Sequence, residues 1–375
     1  MARKNKDNKE SLSINRRRWQ KFREMRRGYW SFVILVSAYA LSFLLPVLVS
    51  NKALIVHYKG EYYSPAGLDL LSSLPILNFL DISSFYSGET FGQTGVKSEA
   101  EYRSLQQRLD EEGEGNWVMM PLYPFSPLED ITVTGNDKFL EPLAEDGNGS
   151  VRLLGTDDRG RDVFSRMTYG FQVSISFALL IALIEYLIGI PIGAAMGYFG
   201  GKFDILSQRF MEIWASIPFL FLIIIIVSVI EPTFMMLVIL IAVFAWLGVA
   251  TQMRAQFYRE RSRDYVAAAV SIGVPTRTIM VKHILPNSLV PLITFFPFSI
   301  VGGIGALVSL DFLGFGLRPP TPSWGQMISV GLANMNEYWL VLVPMLAMFI
   351  TLSLVVFIGE GIREAFDPKV FSRLR

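Results

Sequence analysis

The chain has 375 residues, of which 51% are hydrophobic and only 18% charged, whereas a soluble domain carries about 25% charged residues; the deficit points to a membrane protein. A net charge of +1 gives no bulk attraction to nucleic acid, and the absence of cysteine excludes disulfides, thiolate metal sites and cysteine nucleophiles. The two histidines, His57 and His283, are too few for a multi-histidine metal site.

Residues 1–28 hold eleven Lys and Arg and form a basic N-terminus. The first apolar run, 29–49, contains Ala38-Tyr39-Ala40, which resembles a signal cleavage site, yet it continues through "LSFLLPVLVS". A signal-peptide core is only about 7–15 residues, so an uncleaved first span is expected. An insert follows at 50–152, with seven Lys/Arg against sixteen Asp/Glu. It contains a hairpin pattern, "ALIVHYKGEYYSP", turning at Lys59-Gly60. It also contains an acidic helical stretch, "SEAEYRSLQQRLDEEGEGN", whose glycines stop a helix. Tyr62, Tyr63, Phe79, Phe85, Trp117 and Phe125 favour a small packed cap over a solvated spacer.

Residues 153–368 hold the remaining membrane segments. In "LLGTDDRGRDVFSRMTYG" (153–170), Asp162 suits a helix start, and Val163, Phe164 and Met167 form an apolar stripe expected along the outer interface. Its three aspartates read as a charged turn, because they lack the alternating spacing of a calcium loop. Spans of about 20 residues are expected at 171–197, 210–230, 233–251, 288–310 and 338–358, with a tight turn at Glu231-Pro232. With 29–49 this makes an all-α membrane protein of six transmembrane helices carrying a small mixed insert outside the membrane. The loop 252–286 holds six Lys/Arg, and the end of the chain, with its tail 369–375, carries Arg363, Lys369, Arg373 and Arg375. The positive-inside rule therefore puts both termini and the 252–287 loop in the cytoplasm and the insert outside.

Few ionisable groups fall within spans. Glu185 sits mid-span, where a carboxylate is costly unless paired, protonated or facing water. It reads either as a pathway-lining or intersubunit group, or as a protonated side chain hydrogen-bonded to a neighbouring helix. Asp311, at the outer end of the fifth span, is placed to face the external mouth, whereas Glu212 and Glu360 lie near inner ends. Gly302, Gly303 and Gly305 permit close helix packing.

The stretch "DYVAAAVSIGVPTRTIMVKHILPN" (264–287) is more elaborate than a linker needs. Tyr265 and Ala269, and Val266 and Val270, are four-residue pairs that share helix faces. Ala267, Ala268 and Ala269 leave room for another surface. Gly273 suits a helix C-terminus and Pro275 the first turn of a second helix, which is expected to align Ile279, His283 and Ile284 and to stop at Pro286. A loop lying on lipid headgroups fits these features equally well until spacing is considered. The spacing resembles the signature loop of binding-protein-dependent ABC import permeases, E-A-A, three residues, G, nine residues, I-x-L-P. Ala268-Ala269, Gly273 and Leu285-Pro286 stand at those spacings, while Ala267 replaces the glutamate and His283 the isoleucine. "DYVxAA" and "HILPN", with 153–170 and "SLDFLGFGLRPPTPSWGQMI" (309–328), are similar to the peptide-transporter branch. The acidic insert and "RRRWQKFREMRRGYW" resemble the second permease subunit of Yej-type importers of oligopeptides and microcin C.

The resemblance implies the type I importer permease fold, in the inner membrane of a bacterium. It implies a heterodimer with a second permease, two ATPase subunits that bind ATP and Mg, and a periplasmic substrate-binding protein. The chain itself would bind no cofactor and no metal. Tyr265, Ala268, Ala269, Gly273, His283, Leu285 and Pro286 would form the element that docks on the ATPase. Charge and position add Arg263, Asp264 and Arg277 as polar contacts there. The chain has no phosphate loop: in "GAAMGYFGGKF" the first glycine position is Met196, and Phe203 follows Lys202. Dipeptides or nickel complexes are alternative cargoes. A self-contained proton-coupled transporter using Glu185 would need more spans and an internal repeat, and an intramembrane hydrolase lacks an in-span histidine and a G-x-S-x-G motif.

Overall fold

The computed structural model describes residues 14–67, 86–93, 99–113, 115–129, 138–145 and 150–366; Phe79, Phe85 and the tail 369–375 lie outside them. Among the described residues, four helices are long and apolar enough to cross a bilayer: Val163–Phe199, Phe234–Arg261, Thr276–Phe312 and Trp339–Phe366. A fifth crossing exists if Gly201–Ala215 and Phe219–Val229, bent by 62°, act as one span. The first apolar run holds the 17-residue helix Arg26–Ser42 and, after a turn, Leu45–Leu48.

The segment 210–230 is therefore not the straight span the sequence suggests. Pro218 has no N–H to donate and disfavours helical geometry at Ile217. The helix ends at Ser216, whose N–H donates to Glu212 and Ile213 carbonyls. Phe219–Val229 has 11 residues and rises only about 16 Å, too little to cross alone.

The chain folds into two compact units. One comprises Ser37–Ser176 and Leu307–Met348. Its insert is built on a three-stranded antiparallel sheet with Ile55–Tyr58 between Glu61–Tyr63 and Trp117–Met119. Lys59 and Gly60 take φ of 52° and 86°, the paired left-handed values of a two-residue hairpin turn. The helix Tyr102–Glu112 buries Tyr102, Leu105 and Leu109 against Val56, Phe91 and Val118. That three-then-four spacing is one helix face. A second, two-residue pairing joins Ala144–Glu145 to Val151–Arg152.

The same unit holds a buried ionic network. Arg152, Asp157, Arg161, Asp162 and Arg166 are all buried. Asp157 lies 2.9 Å from Arg161 and 3.5 Å from Arg166, and Asp162 lies 3.7 Å from Arg152. Tyr123 donates to Asp162 Oδ2 at 2.7 Å, and burial, then the nearby carboxylate, push the phenol above its usual range. Arg152 lies over the Phe125 ring at 3.7 Å, a cation–π contact. Asp162 Oδ1 accepts from Ser165 N–H at 2.8 Å and so caps Val163–Phe199. Because this helix begins inside the unit, Val163 and Met167 are buried and Phe164 packs on Tyr123. They do not form the lipid-facing stripe that the spacing alone suggests.

The other unit comprises Met1–Val36, Phe177–Ala306 and Phe349–Arg375. Gly189, Gly193 and Gly197 recur every fourth residue on one face of Val163–Phe199. A Cβ on any of them would come within 3.0 Å of Val249 Cβ, Ala250 O or Arg254 O respectively. The bare glycines let this helix and Phe234–Arg261 touch backbone to backbone. Arg254 binds Asp204 bidentately at 2.5 and 2.7 Å, tying Gly201–Ala215 to the same helix. Of the three glycines expected to pack closely, only Gly303 does so, against Ala178; Gly302 and Gly305 face open space within this chain.

Candidate coupling site

Residues 264–287 fold as a helix, a turn and a widened helix. Asp264–Ser271 is the first helix, with exposed Asp264 in its first turn, where a carboxylate favours the helix dipole. It closes with Gly273 at φ 78°: Val274 N–H donates to Ala269 O and Gly273 N–H to Val270 O. This six-to-one and five-to-two pairing is a Schellman ending, and it demands the left-handed conformation that glycine adopts without strain. Thr276–Thr278 then starts the second helix after Pro275.

That helix does not stop at Pro286. Residues Ile279–Ile284 widen into a π-turn, with Leu285 N–H donating to Met280 O, and Leu285–Phe312 continues in α-helical form. Pro286 has no N–H for an ordinary helical bond, and the π-turn stands immediately before it. Widening also changes the alignment of side chains. Ile279 and Ile284, five apart, are both buried, whereas His283 is exposed; the expected Ile279–His283–Ile284 stripe does not form. Adjacent residues of a helix point about 100° apart, and so the expected Ala268–Ala269 face divides as well. Ala269 is buried with Val266, while Ala268 and Ala267 are exposed.

The inward face is a shared core. Val266, Ala269, Ile279 and Ile284 pack with Ala194, Val249, Met253, Phe257 and Leu292, so the short helix rests on three long helices at once. A polar bridge reinforces it. Tyr265 OH donates to Glu260 Oε2 at 3.0 Å, and Asn287 Nδ2 reaches the same hydroxyl at 3.5 Å. Partial burial, then the hydrogen bond and charge of Glu260, raise the Tyr265 phenol above its ordinary range. Glu260 also lies 3.6 Å from Arg263. Arg263 thus reaches back to its own chain, while Arg277 is exposed and Leu285 half-buried.

The outward face is apolar. Ile272 is 80% exposed, Val270 57% and Val281 53%, beside exposed Ala268. Ile272, Val281 and the anchors Glu260 and Asn287 were not singled out from sequence; Val270 was, but as sharing a face with Val266, which is buried while Val270 is exposed, just as Ala269 is buried while Tyr265 is exposed. Nothing in the local pattern marks Glu260.

Glu185 and Asp311 are remote from this element in sequence and differ from each other. Glu185 is 6% exposed and turned toward Leu285–Phe312, where Ser299 hydrogen-bonds to it and its Oε1 has no partner. Next to it, Tyr186 donates to Leu292 O at 2.9 Å. Asp311 does not face an open mouth. It is buried, accepting from Leu317 N–H at 2.6 Å and from Ser323 Oγ, while Ser323 caps Trp324–Ala333. Both oxygens hold the 312–323 loop. Among the described residues, no group of three or more His, Asp or Glu is arranged to hold a metal.

Long apolar helices of bilayer-crossing length, two of them joined by an exposed helix–turn–helix, define an integral membrane protein. The chain belongs to the family described as binding-protein-dependent transport system inner membrane component, whose pattern matches residues 189–372. It is 38% identical to the peptidoglycan transport system permease protein YejE of Agrobacterium fabrum, over 94% of this chain and 93% of that one. It is also 38% identical to the inner membrane ABC transporter permease protein YejE of Escherichia coli, over 95% and 97%. The oligopeptide transport system permease protein OppC of Haemophilus influenzae is 39% identical, over 58% of this chain and 70% of its own. The chain is thus an ABC importer permease subunit.

Proposed function

We propose that this chain is the permease subunit of an importer of oligopeptides or peptide-bearing compounds, driven by partner ATPases that dock on 264–287. The observation that carries the coupling role is the two-faced helix Asp264–Ser271. Val266 and Ala269 pack against the long helices, while Ala268, Val270 and Ile272 stand uncovered. A partner surface pressing on the outer face would move the helices through the inner one. The exposed residues of the element, Arg277 and His283 among them, supply its rim. ATP and Mg belong to the ATPases, because the chain has no phosphate loop.

Cargo class rests on the relatives, which are permeases for peptidoglycan, oligopeptides and dipeptides; their shared chemistry is the peptide bond, and microcin C is a peptide-bearing compound of the same kind. A second permease completes the pathway, a periplasmic binding protein delivers the cargo, and both termini lie in the cytoplasm. A proton-coupled carrier centred on Glu185 gains nothing from a side chain sealed against a neighbouring helix.

Ala268→Trp in the full importer is expected to lower peptide uptake at least about tenfold while leaving membrane insertion intact, since Ala268 touches no core. Gly273→Pro, which cannot adopt φ 78°, is expected to uncouple ATP hydrolysis from uptake. Uptake of labelled peptides beside ATPase rates measures both; normal uptake in Ala268→Trp rejects the docking role.

A further inference from the structure

The described part of the basic N-terminus, from residue 14 on, is helical. Ile14–Glu24 is a helix followed directly by Arg26–Ser42. Its inner side is anchored on the end of Trp339–Phe366. Phe22 is buried where Gly28 meets Gly361, Lys21 Nζ donates to Glu364 O at 3.1 Å, and Arg18 lies 4.5 Å over the Phe366 ring. The outer side carries exposed Arg16, Arg17, Arg23, Arg26 and Arg27. Among the described residues no carboxylate pairs with Arg16, Arg17, Arg26 or Arg27. At the corner between the two helices Trp19 packs on Phe22, Tyr29 and Phe32, with Trp19 and Trp30 still about half exposed.

Arginines ringing an exposed tryptophan corner, next to a membrane helix, match the chemistry of a headgroup layer: indoles settle at the interface and guanidiniums bind phosphate. We infer that Ile14–Glu24 with Arg26 and Arg27 is a clamp for anionic phospholipid headgroups, holding the helix Arg26–Ser42 and the end of Trp339–Phe366 to the bilayer surface. The occupant is the anionic leaflet and not a soluble phosphate, because the unpaired arginines flank half-exposed indoles that need an apolar layer to enter. The clamp acts on whichever leaflet it meets and does not depend on the proposed cargo or coupling role.

The test places the intact purified protein in nanodiscs of phosphatidylcholine, with or without phosphatidylglycerol, and measures chymotryptic cleavage after Trp19 and Phe22 by mass spectrometry. Both faces of a nanodisc carry the same lipid, so the result is independent of orientation. Phosphatidylglycerol is expected to slow cleavage at least about tenfold, given the attraction per arginine near an anionic surface, and high salt to erase the effect. Combined Arg16→Gln, Arg23→Gln, Arg26→Gln and Arg27→Gln, which leave the chymotryptic sites intact, should abolish the lipid dependence with unchanged cleavage in phosphatidylcholine. Equal wild-type rates in the two lipids, or protection that survives the four substitutions, overturns the clamp. Equal protection by glycerol phosphate added to phosphatidylcholine discs overturns the leaflet as occupant.

Discussion

Gly193→Leu is expected to give no folded, membrane-inserted protein. A Cβ at Gly193 already falls within 3.0 Å of the Ala250 carbonyl, and a backbone atom cannot be trimmed or rotated away. Ordinary overpacking costs about 1–3 kcal/mol; here two helices must separate along the Gly189–Gly193–Gly197 seam, and the expected cost lies at or above the top of that range. Gly189 offers a graded comparison, because a Cβ there meets chiefly the Val249 side chain. Gly189→Ala should be partly rescued by Val249→Gly, which removes the Cβ at 2.7 Å, and Gly193→Ala by no side-chain truncation. Gly305→Ala, which meets nothing within this chain, should leave its own packing unchanged. Yield of monodisperse protein in mild detergent, with thermal unfolding, reads all four.

Asp157→Ala is the second large effect. Asp157 is the shared carboxylate of buried Arg161 and Arg166, and its Oδ1 also accepts from the N–H groups of Arg159 and Arg161 at 3.0 Å. Removing one partner of a buried ion pair costs about 3–5 kcal/mol, because the remaining charge keeps its desolvation penalty. Two guanidiniums lose this carboxylate, but Arg161 keeps Asp158 at 3.5 Å and Arg166 keeps Gln326 at 3.0 Å, so a cost within that range is expected. Asp157→Asn, which keeps an oxygen for the turn and loses the charge, should fall between alanine and wild type. Since the groups are buried, the loss should be nearly insensitive to salt, unlike that of a surface pair. Thermal unfolding in detergent at low and high ionic strength checks both points.

Much of the architecture was legible because a bilayer constrains sequence severely. A run of about 20 apolar residues has few fates, and the helices Val163–Phe199, Phe234–Arg261, Thr276–Phe312 and Trp339–Phe366 lie where the runs lie. The Lys59-Gly60 turn and the Gly273 helix ending were readable for a related reason: each depends on backbone conformations that local residue types dictate. The exposed Ala268 and buried Ala269 were readable as small, but not as opposed.

What local chemistry leaves open is which side of a residue meets which neighbour. "TDDRGRD" reads as a charged turn, and its burial emerges only when Arg152 and Arg166 close over it, because charge pairing across a fold has no signature in spacing. Pro286 reads as a stop, yet a π-turn carries the helix through it, since neighbouring packing of Ile279 and Ile284 stabilises the wider turn. Asp311 reads as a group at the mouth until the 312–323 loop folds back onto it. The sequence by itself determined where helices run and where the chain bends, through hydrophobic length and backbone permissiveness. Only the tertiary structure decided which polar groups are buried and which apolar ones stay bare, because both depend on side chains far apart in the chain arriving at one place.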